Sequence, residues 1–420
     1  MSIARISRRG LLMGGLCTAA VAGLAGQRRV AAAPSATPRR VVLVFASGAW
    51  DPTYVLDPKP GIAGIDAPTG EIKELGGGLP VFTDPSRPNV EAFFAAHGSL
   101  ATIINGINVA SVAHPQSSHR ILSGVTDDTA PDVAAIAAAT HGVDLAAPYL
   151  VLGRTAFSGP FASLSARTGS ANQLVTLLNP LATFPAVGQQ GLPLVPKVTE
   201  EAIIRDHVLA RVAAEQSKRP SKRLDDFVAS LERSDAIREI GQIGDIEFSR
   251  SFDAQIGLAV EALDRGLCYS VQMETGNWDT HENNEQQGKL NDDFYAALML
   301  LMDELIARPG SKQGSKLIDE TMVVVVSEMG RTPRLNAAMG KDHWPVTSAL
   351  VLGGGLKGGR VLGGSTDALD SAGIDLQSGE VDPNANPLTY ASFAGGLLEA
   401  AGVDAGDYIV NAEPLHAIHA

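Results

Sequence analysis

Six short runs are apolar at nearly every position: "RRVVLVFAS" (39–47), "SLATIING" (99–106), "PYLVLG" (148–153), "LCYSVQME" (267–274), "ETMVVVVSE" (320–328) and "SALVLGGG" (348–355). A strand with one wet face alternates apolar and polar residues, whereas a run without that alternation fits a strand covered on both faces. Between the runs lie "RPNVEAFFAAHG", "PDVAAIAAATHG", "QQGKLNDDFYAALMLLMDELIARPG" and "LTYASFAGGLLEAAG". The last three carry apolar residues at three- and four-residue steps, and all four read as helices. The alternation predicts an α/β domain, a three-layer α/β/α sandwich around a mostly parallel central sheet.

Residues 197–265 break the pattern. They are charged, helical in spacing and free of strand signals, and they read as a helical insertion with "SKRPSK" as a break between helices. Residues 364–387 read as a loop with a hairpin. No internal repeat or heptad seam is present.

The first 33 residues stand apart from this domain, which is expected over 34–420. Arg8 and Arg9 precede a weakly apolar, uncharged stretch that ends in small residues near Ala31 to Ala33. Ser7-Arg8-Arg9-Gly10-Leu11-Leu12 resembles a twin-arginine (Tat) export signal, with cleavage expected after Ala33. The expected location is periplasmic or extracellular, with the Tat translocase as partner during export. Because that route carries folded proteins, it suits one loaded with metal beforehand.

Cleavage removes five arginines and no acid, so the net charge falls from −13 to −18. Nucleic acid, which demands a basic surface, is excluded as a partner. Of the two cysteines only Cys268 remains, so no intramolecular disulfide forms, and its apolar surroundings predict a buried small hydrophobe. No second apolar run is long enough to span a bilayer.

In open α/β sheets ligands bind beyond the carboxyl ends of the strands, so polar residues following apolar runs are the chemical candidates. Asp51 follows the first run, either as a metal ligand or as part of an Asp-Pro turn. "ASVAHPQSSHRILSGV" follows the second. There Ser117 or Ser118 is a nucleophile, an anion contact or a helix cap, with His119 beside them as a proton carrier. In "GNWDTHENN" Asp279 and His281, two apart on an extended segment, offer an oxygen and an imidazole to one cation, or Asp279 caps the next helix. "SEMGRTPRLNAAMGKDHWP" supplies Glu328, Arg331, Asp342 and His343. A charge such as Glu328 after so apolar a strand is costly unless paired or metal-bound. Arg331 suits an oxyanion, or pairs with Glu328. His343 is a ligand or proton carrier, or belongs with Asp342 to a salt-bridged loop. Together Asp51, Asp279, His281, Glu328 and His343 suit one or two divalent ions, Zn, Mn, Mg or Ca, and phosphoryl-type transfer.

"WDTHENN", "SEMGRTPRLN…GKDHWP", "ALVLGGGLKGG" and "PLTYASFAGGLLEAAGVDAGDYI" closely resemble the secreted bacterial family catalogued as domain of unknown function 1501. The family is grouped with the alkaline phosphatase and sulfatase-like superfamily. The resemblance implies an α/β/α sandwich with a metal site at the carboxyl edge of its sheet. It implies metal-binding roles for Asp51, Asp279, His281, Glu328 and His343, and a nucleophile at Ser117 or Ser118. Met329 departs from the superfamily, which has an Asp-His pair there, and "HPQSSHR" lacks the sulfatase signature. The expectation is a metal-dependent hydrolase-like protein acting on a phosphate or sulfate ester, a small molecule or envelope polymer. The alternative is a non-catalytic envelope protein that retains the fold and one metal.

Overall fold

In the first strand, β1 (Arg40–Ala46), Val41, Leu43 and Phe45 face one layer while Val42, Val44 and Ala46 face the other, and all six are buried. That two-sided burial explains why the run lacks alternation. The computed structural model describes residues 38–167, 198–240 and 251–419. The export signal expected over residues 1–33 lies outside the described residues.

A hairpin follows, β2 (Glu71–Leu75) and β3 (Leu79–Thr83). Gly76, Gly77 and Gly78 between them all have positive φ, the backbone such a turn requires. Next come α1 (Pro88–His97), β4 (Ala101–Asn108), α2 (His114–Ser123), α3 (Val133–His141), β5 (Tyr149–Val151) and β6 (Ser165–Arg167). Then follow α4 (Val198–Lys218), α5 (Lys222–Ile240), α6 (Phe252–Asp264), β7 (Ser270–Thr275), α7 (Gln286–Ala307) and β8 (Thr321–Val326). The chain closes with β9 (Gly330–Arg331), β10 (His343–Trp344), β11 (Val346–Gly353), β12 (Arg360–Gly363) and α8 (Tyr390–Ala400).

Eight of these strands form one sheet in the order β12-β4-β11-β8-β1-β7-β5-β6. Every neighbouring pair is parallel except those of β11, which runs antiparallel to both β4 and β8. Helices α1, α6 and α7 bury their apolar sides against one face, and α2, α3 and α8 against the other. This is a three-layer α/β/α sandwich with a mostly parallel sheet.

The helical segment expected at 197–265 divides in two. In α4 and α5, whose break falls at residues 219–221, Ile203, Ile204 and Phe227 are exposed. In α6, Ile256, Leu258, Ala259 and Leu263 are buried in the core. Residues 364–387 contain no hairpin ladder. Their pairing is by isolated antiparallel bridges, Ser365 to Ser371, Gly373 to Pro387 and Ile374 to Val381.

No helix among the described residues is long and apolar enough to cross a membrane. Phe93 of α1 is fully buried against Phe94 and Tyr295. Phe93→Ala is expected to lower unfolding stability by about 3–5 kcal/mol. Ile204→Ser on exposed α4 is expected to change it by less than about 0.5 kcal/mol. Denaturant titration of both variants checks the contrast.

Candidate metal centre

Because β1, β4, β7 and β8 run in one direction, the loops that follow them share one edge of the sheet. β11, running the other way, starts at that edge, so residues just before it arrive there too. The β1 and β7 loops touch so closely that a Cβ on Gly48, at φ +122°, would lie 2.6 Å from the Asp279 nitrogen. Trp278 closes the floor beneath, packed edge-on against Trp50 and Phe294.

Arg331 holds these loops together. Its Nε donates to the Ala49 carbonyl at 2.7 Å, its Nη1 to the Lys341 carbonyl at 2.9 Å, and its Nη2 to the Trp278 carbonyl and Asp279 Oδ1, each at 2.8 Å. The Gly48 carbonyl accepts from Nη2 as well. The guanidinium is fully buried. Expected from sequence to meet an oxyanion, Arg331 is instead consumed by backbone carbonyls and Asp279, and it presents no surface to a substrate. It does not pair with Glu328.

Three imidazoles gather around Asp279. His343 Nε2 lies 3.0 Å and His281 Nε2 3.2 Å from Asp279 Oδ1, with His114 Nε2 3.4 Å from Oδ2. Each ring is anchored by its other nitrogen. His114 Nδ1 meets Glu328 Oε1 at 2.7 Å, His281 Nδ1 meets Asp342 Oδ1 at 3.0 Å, and His343 Nδ1 meets the Val112 carbonyl at 2.9 Å. A carbonyl only accepts, so His343 Nδ1 carries a proton, and the two carboxylates assign the same tautomer to the neutral form of the other rings. In the neutral rings all three Nε2 lone pairs then face Asp279.

His281 and His343 Nε2 are 3.1 Å apart. Two lone pairs at that distance repel unless a cation or a proton lies between them. His114, Asp279 and His343 offer ligand atoms within 4.8 Å of one another. Anchoring the second ring nitrogen on a carboxylate or carbonyl is how proteins orient metal-binding histidines. The donor set therefore fits a divalent ion, and Asp279, 45 % exposed, keeps the cluster open to solvent.

The electrostatics agree. Partial burial works to raise the Asp279 pKa, yet the Arg331 hydrogen bond, the neighbouring His343 ring and the Arg331 charge bring it down to about 2. The hydrogen bond to Glu328 raises the His114 pKa against the opposing effect of burial. Glu328 itself is buried and accepts from the Gly48 nitrogen at 2.9 Å, the Ala49 nitrogen at 3.3 Å and Ser327 Oγ at 3.0 Å. It reaches the cluster through His114, as the group that orients that ring.

Other expected residues lie apart from the cluster. Asp51 is buried, with Thr53 on Oδ1 and both Asn284 Nδ2 at 2.9 Å and Lys341 Nζ at 2.8 Å on Oδ2. It caps the turn Pro52–Tyr54 and pairs with a buried ammonium where a metal was expected. Helix α2 begins at His114 with Pro115 in its first turn, so Ser117 and Ser118 sit inside the helix and neither caps it. Both are buried, and Ser117 Oγ has no hydrogen-bond partner among the described residues. His119 is buried against Phe157, with Nε2 3.3 Å from the Ala130 carbonyl. The sequence reading missed His114 as a site residue. The available signal was its place after β4 and before Pro115, the start of a helix at the same edge of the sheet.

The chain belongs to the family described as protein of unknown function, DUF1501, whose model matches residues 38–405. No curated protein matches it. Among solved structures it is similar to an alkaline phosphatase superfamily protein from Vibrio parahaemolyticus, at 11 % identity over 88 % of this chain and 68 % of that one, TM-score 0.33. A sulfatase from Pseudoalteromonas sp. gives 9 % identity over 91 % and 72 %, TM-score 0.38. The integral membrane protein lipooligosaccharide phosphoethanolamine transferase A from Neisseria meningitidis gives 10 % over 89 % and 57 %, TM-score 0.37. Scores this low say nothing about the chemistry of this chain.

Lys341→Met leaves Asp51 as an unpaired buried charge, and the expected loss is about 3–5 kcal/mol of unfolding stability. Adding Asp51→Asn to that variant is expected to restore part of the loss, because both charges are then gone. Urea midpoints of the single and double variants test this; a single variant as stable as the parent would contradict the pairing.

Proposed function

We propose that this chain is an exported, metal-dependent hydrolase-like protein acting on a phosphate or sulfate ester. The observation that carries the reading is the set of three anchored imidazoles, His114, His281 and His343, whose Nε2 atoms surround the Asp279 carboxylate. Imidazole-rich sites favour Zn or Mn over Mg or Ca, since hard cations prefer all-oxygen shells. We assign one ion to this cluster, because Lys341 already neutralises Asp51. A divalent ion here would supply Lewis-acid polarisation of an ester oxygen and a lowered pKa for water.

The chain's own residues divide the remaining work. Glu328 and Asp342 keep His114 and His281 in the required tautomer, and Arg331 keeps Asp279 ionised and oriented. The buried Ser117 and Ser118 hydroxyls are poorly placed to attack, so we assign the nucleophile to solvent water. Water adds hydroxide to phosphorus or sulfur, the ester bond breaks, and the alcohol leaves with a proton. The same buried serines and the sequestered Arg331 also favour a second reading, a metal-holding envelope protein without turnover.

In protein purified through its own export route without chelator, His343→Ala and Asp279→Ala are each expected to lower Zn or Mn content by about one equivalent. Hydrolysis of aryl phosphate or sulfate esters should fall by at least about a hundredfold in both. Ser117→Ala should keep its rate, whereas a covalent serine mechanism would abolish it. Bound metal without hydrolysis of either ester class would favour the second reading. Unchanged metal content in both variants would sink the central assignment.

Export is tested separately. Replacing Arg8 and Arg9 by Lys is expected to leave the precursor in the cytoplasmic fraction, and unimpaired secretion would argue against the twin-arginine route.

A further inference from the structure

A second group of ligand-type side chains lies elsewhere on the fold and plays no part in the central cluster. Glu399 sits in the last turn of α8, and His416 opens and His419 caps the 3₁₀ turn His416–Ile418 near the C-terminal end of the chain. With about three residues per turn, positions i and i+3 of such a turn share one side. Ala417 and Ile418 between them are buried in the core, and both imidazoles approach the same Glu399 oxygen.

His416 Nδ1 is 2.7 Å and His419 Nε2 3.0 Å from Glu399 Oε2. The two ring centroids lie 6.1 Å apart. One ligand atom from each residue lies within 4.8 Å of the others.

The backbone holds this arrangement from behind. The Leu415 amide donates to the Ser392 carbonyl at 2.8 Å and the Ala417 amide to the Leu376 carbonyl at 3.0 Å, while Arg360 donates to the Ala417 and Ile418 carbonyls. Electrostatics call for a cation here. A carboxylate in the last turn of a helix meets the negative end of the macrodipole. Glu399 is also partly buried, so its charge needs a positive neighbour.

We propose that Glu399, His416 and His419 form a second divalent-cation site, selective for zinc-like ions, that fastens residues 414–419 to α8. Without metal, each imidazole donates one proton to Oε2. With metal, the same two ring nitrogens turn lone pairs to the ion, and the carboxylate leaves a net charge of +1 at the site. Two imidazoles and one carboxylate match zinc-type coordination, with the remaining positions filled by water. The site shares no residue with the central cluster, so it stands or falls independently.

The probe is Zn²⁺ alone, added to the chelator-stripped full chain with the central cluster disabled by Asp279→Asn and His343→Gln. One equivalent is expected to bind, and adding His416→Gln and His419→Gln should abolish it. In a chain with an intact central cluster, Zn²⁺ at ten times its dissociation constant should slow amide hydrogen exchange of Ala417, Ile418 and His419 by about tenfold. The two glutamine changes should remove that protection. A folded central-site variant that takes up no Zn²⁺, or uptake indifferent to His416→Gln and His419→Gln, overturns the proposal. Should the central-site variant fail to fold, the exchange comparison decides alone, and equal exchange with and without Zn²⁺ overturns it.

Discussion

The Arg331 guanidinium is the constraint on which the candidate site depends. A buried guanidinium must have its donors satisfied, and here the partners are carbonyls of the β1 loop, the β7 loop and the stretch before β10, together with Asp279. Each partner fixes a loop that would otherwise be free at the sheet edge. Asp279 is thereby held as an ionised, partly exposed carboxylate at the point where three imidazoles converge.

Charge balance divides the edge into a dry part and a wet part. In the dry part Asp51 and Lys341 neutralise each other with both side chains fully buried, and Thr53 and Asn284 complete the hydrogen bonds of the carboxylate. Such a pair adds little stability over an apolar replacement, but losing one partner is costly. In the wet part Asp279 and the three histidines retain access to solvent. Glu328 spans the two, buried among loop amides while orienting the ring of His114.

β11 brings the last imidazole into place. The chain between β8 and β11 contains no helix and turns back through the short β9–β10 pair, in which His343 lies opposite Arg331. A parallel crossover normally needs a helix-sized connection, so a direct return runs antiparallel. That reversal sets the residues before β11 beside those after β7 and β8. His343 thus reaches the edge from the amino end of a strand, whereas Asp279 and Glu328 reach it from carboxyl ends.

Much of this was legible in the sequence. Unalternating runs such as "VVLVFA" and "TMVVVV" announced strands buried on both faces, and polar residues placed just after them marked Asp279, His281 and Glu328 as edge residues. These are local properties, set by side-chain chemistry and the period of the backbone. Strand direction was not legible, because β11 is as apolar as the mutually parallel strands of the sheet and a two-sided strand looks alike in either direction. Nor were the partners of buried charges. Asp51 and Lys341 are 290 residues apart, and Arg331 meets carbonyls that every residue type carries. The start of α2 at His114, one turn before the serines, was settled by Pro115 and by the ring's contact with Glu328. The sequence determined which segments are buried and which polar residues follow them. Which of those polar residues gather in the open histidine cluster, and which are neutralised inside the protein, was decided by long-range contacts that only the tertiary structure creates.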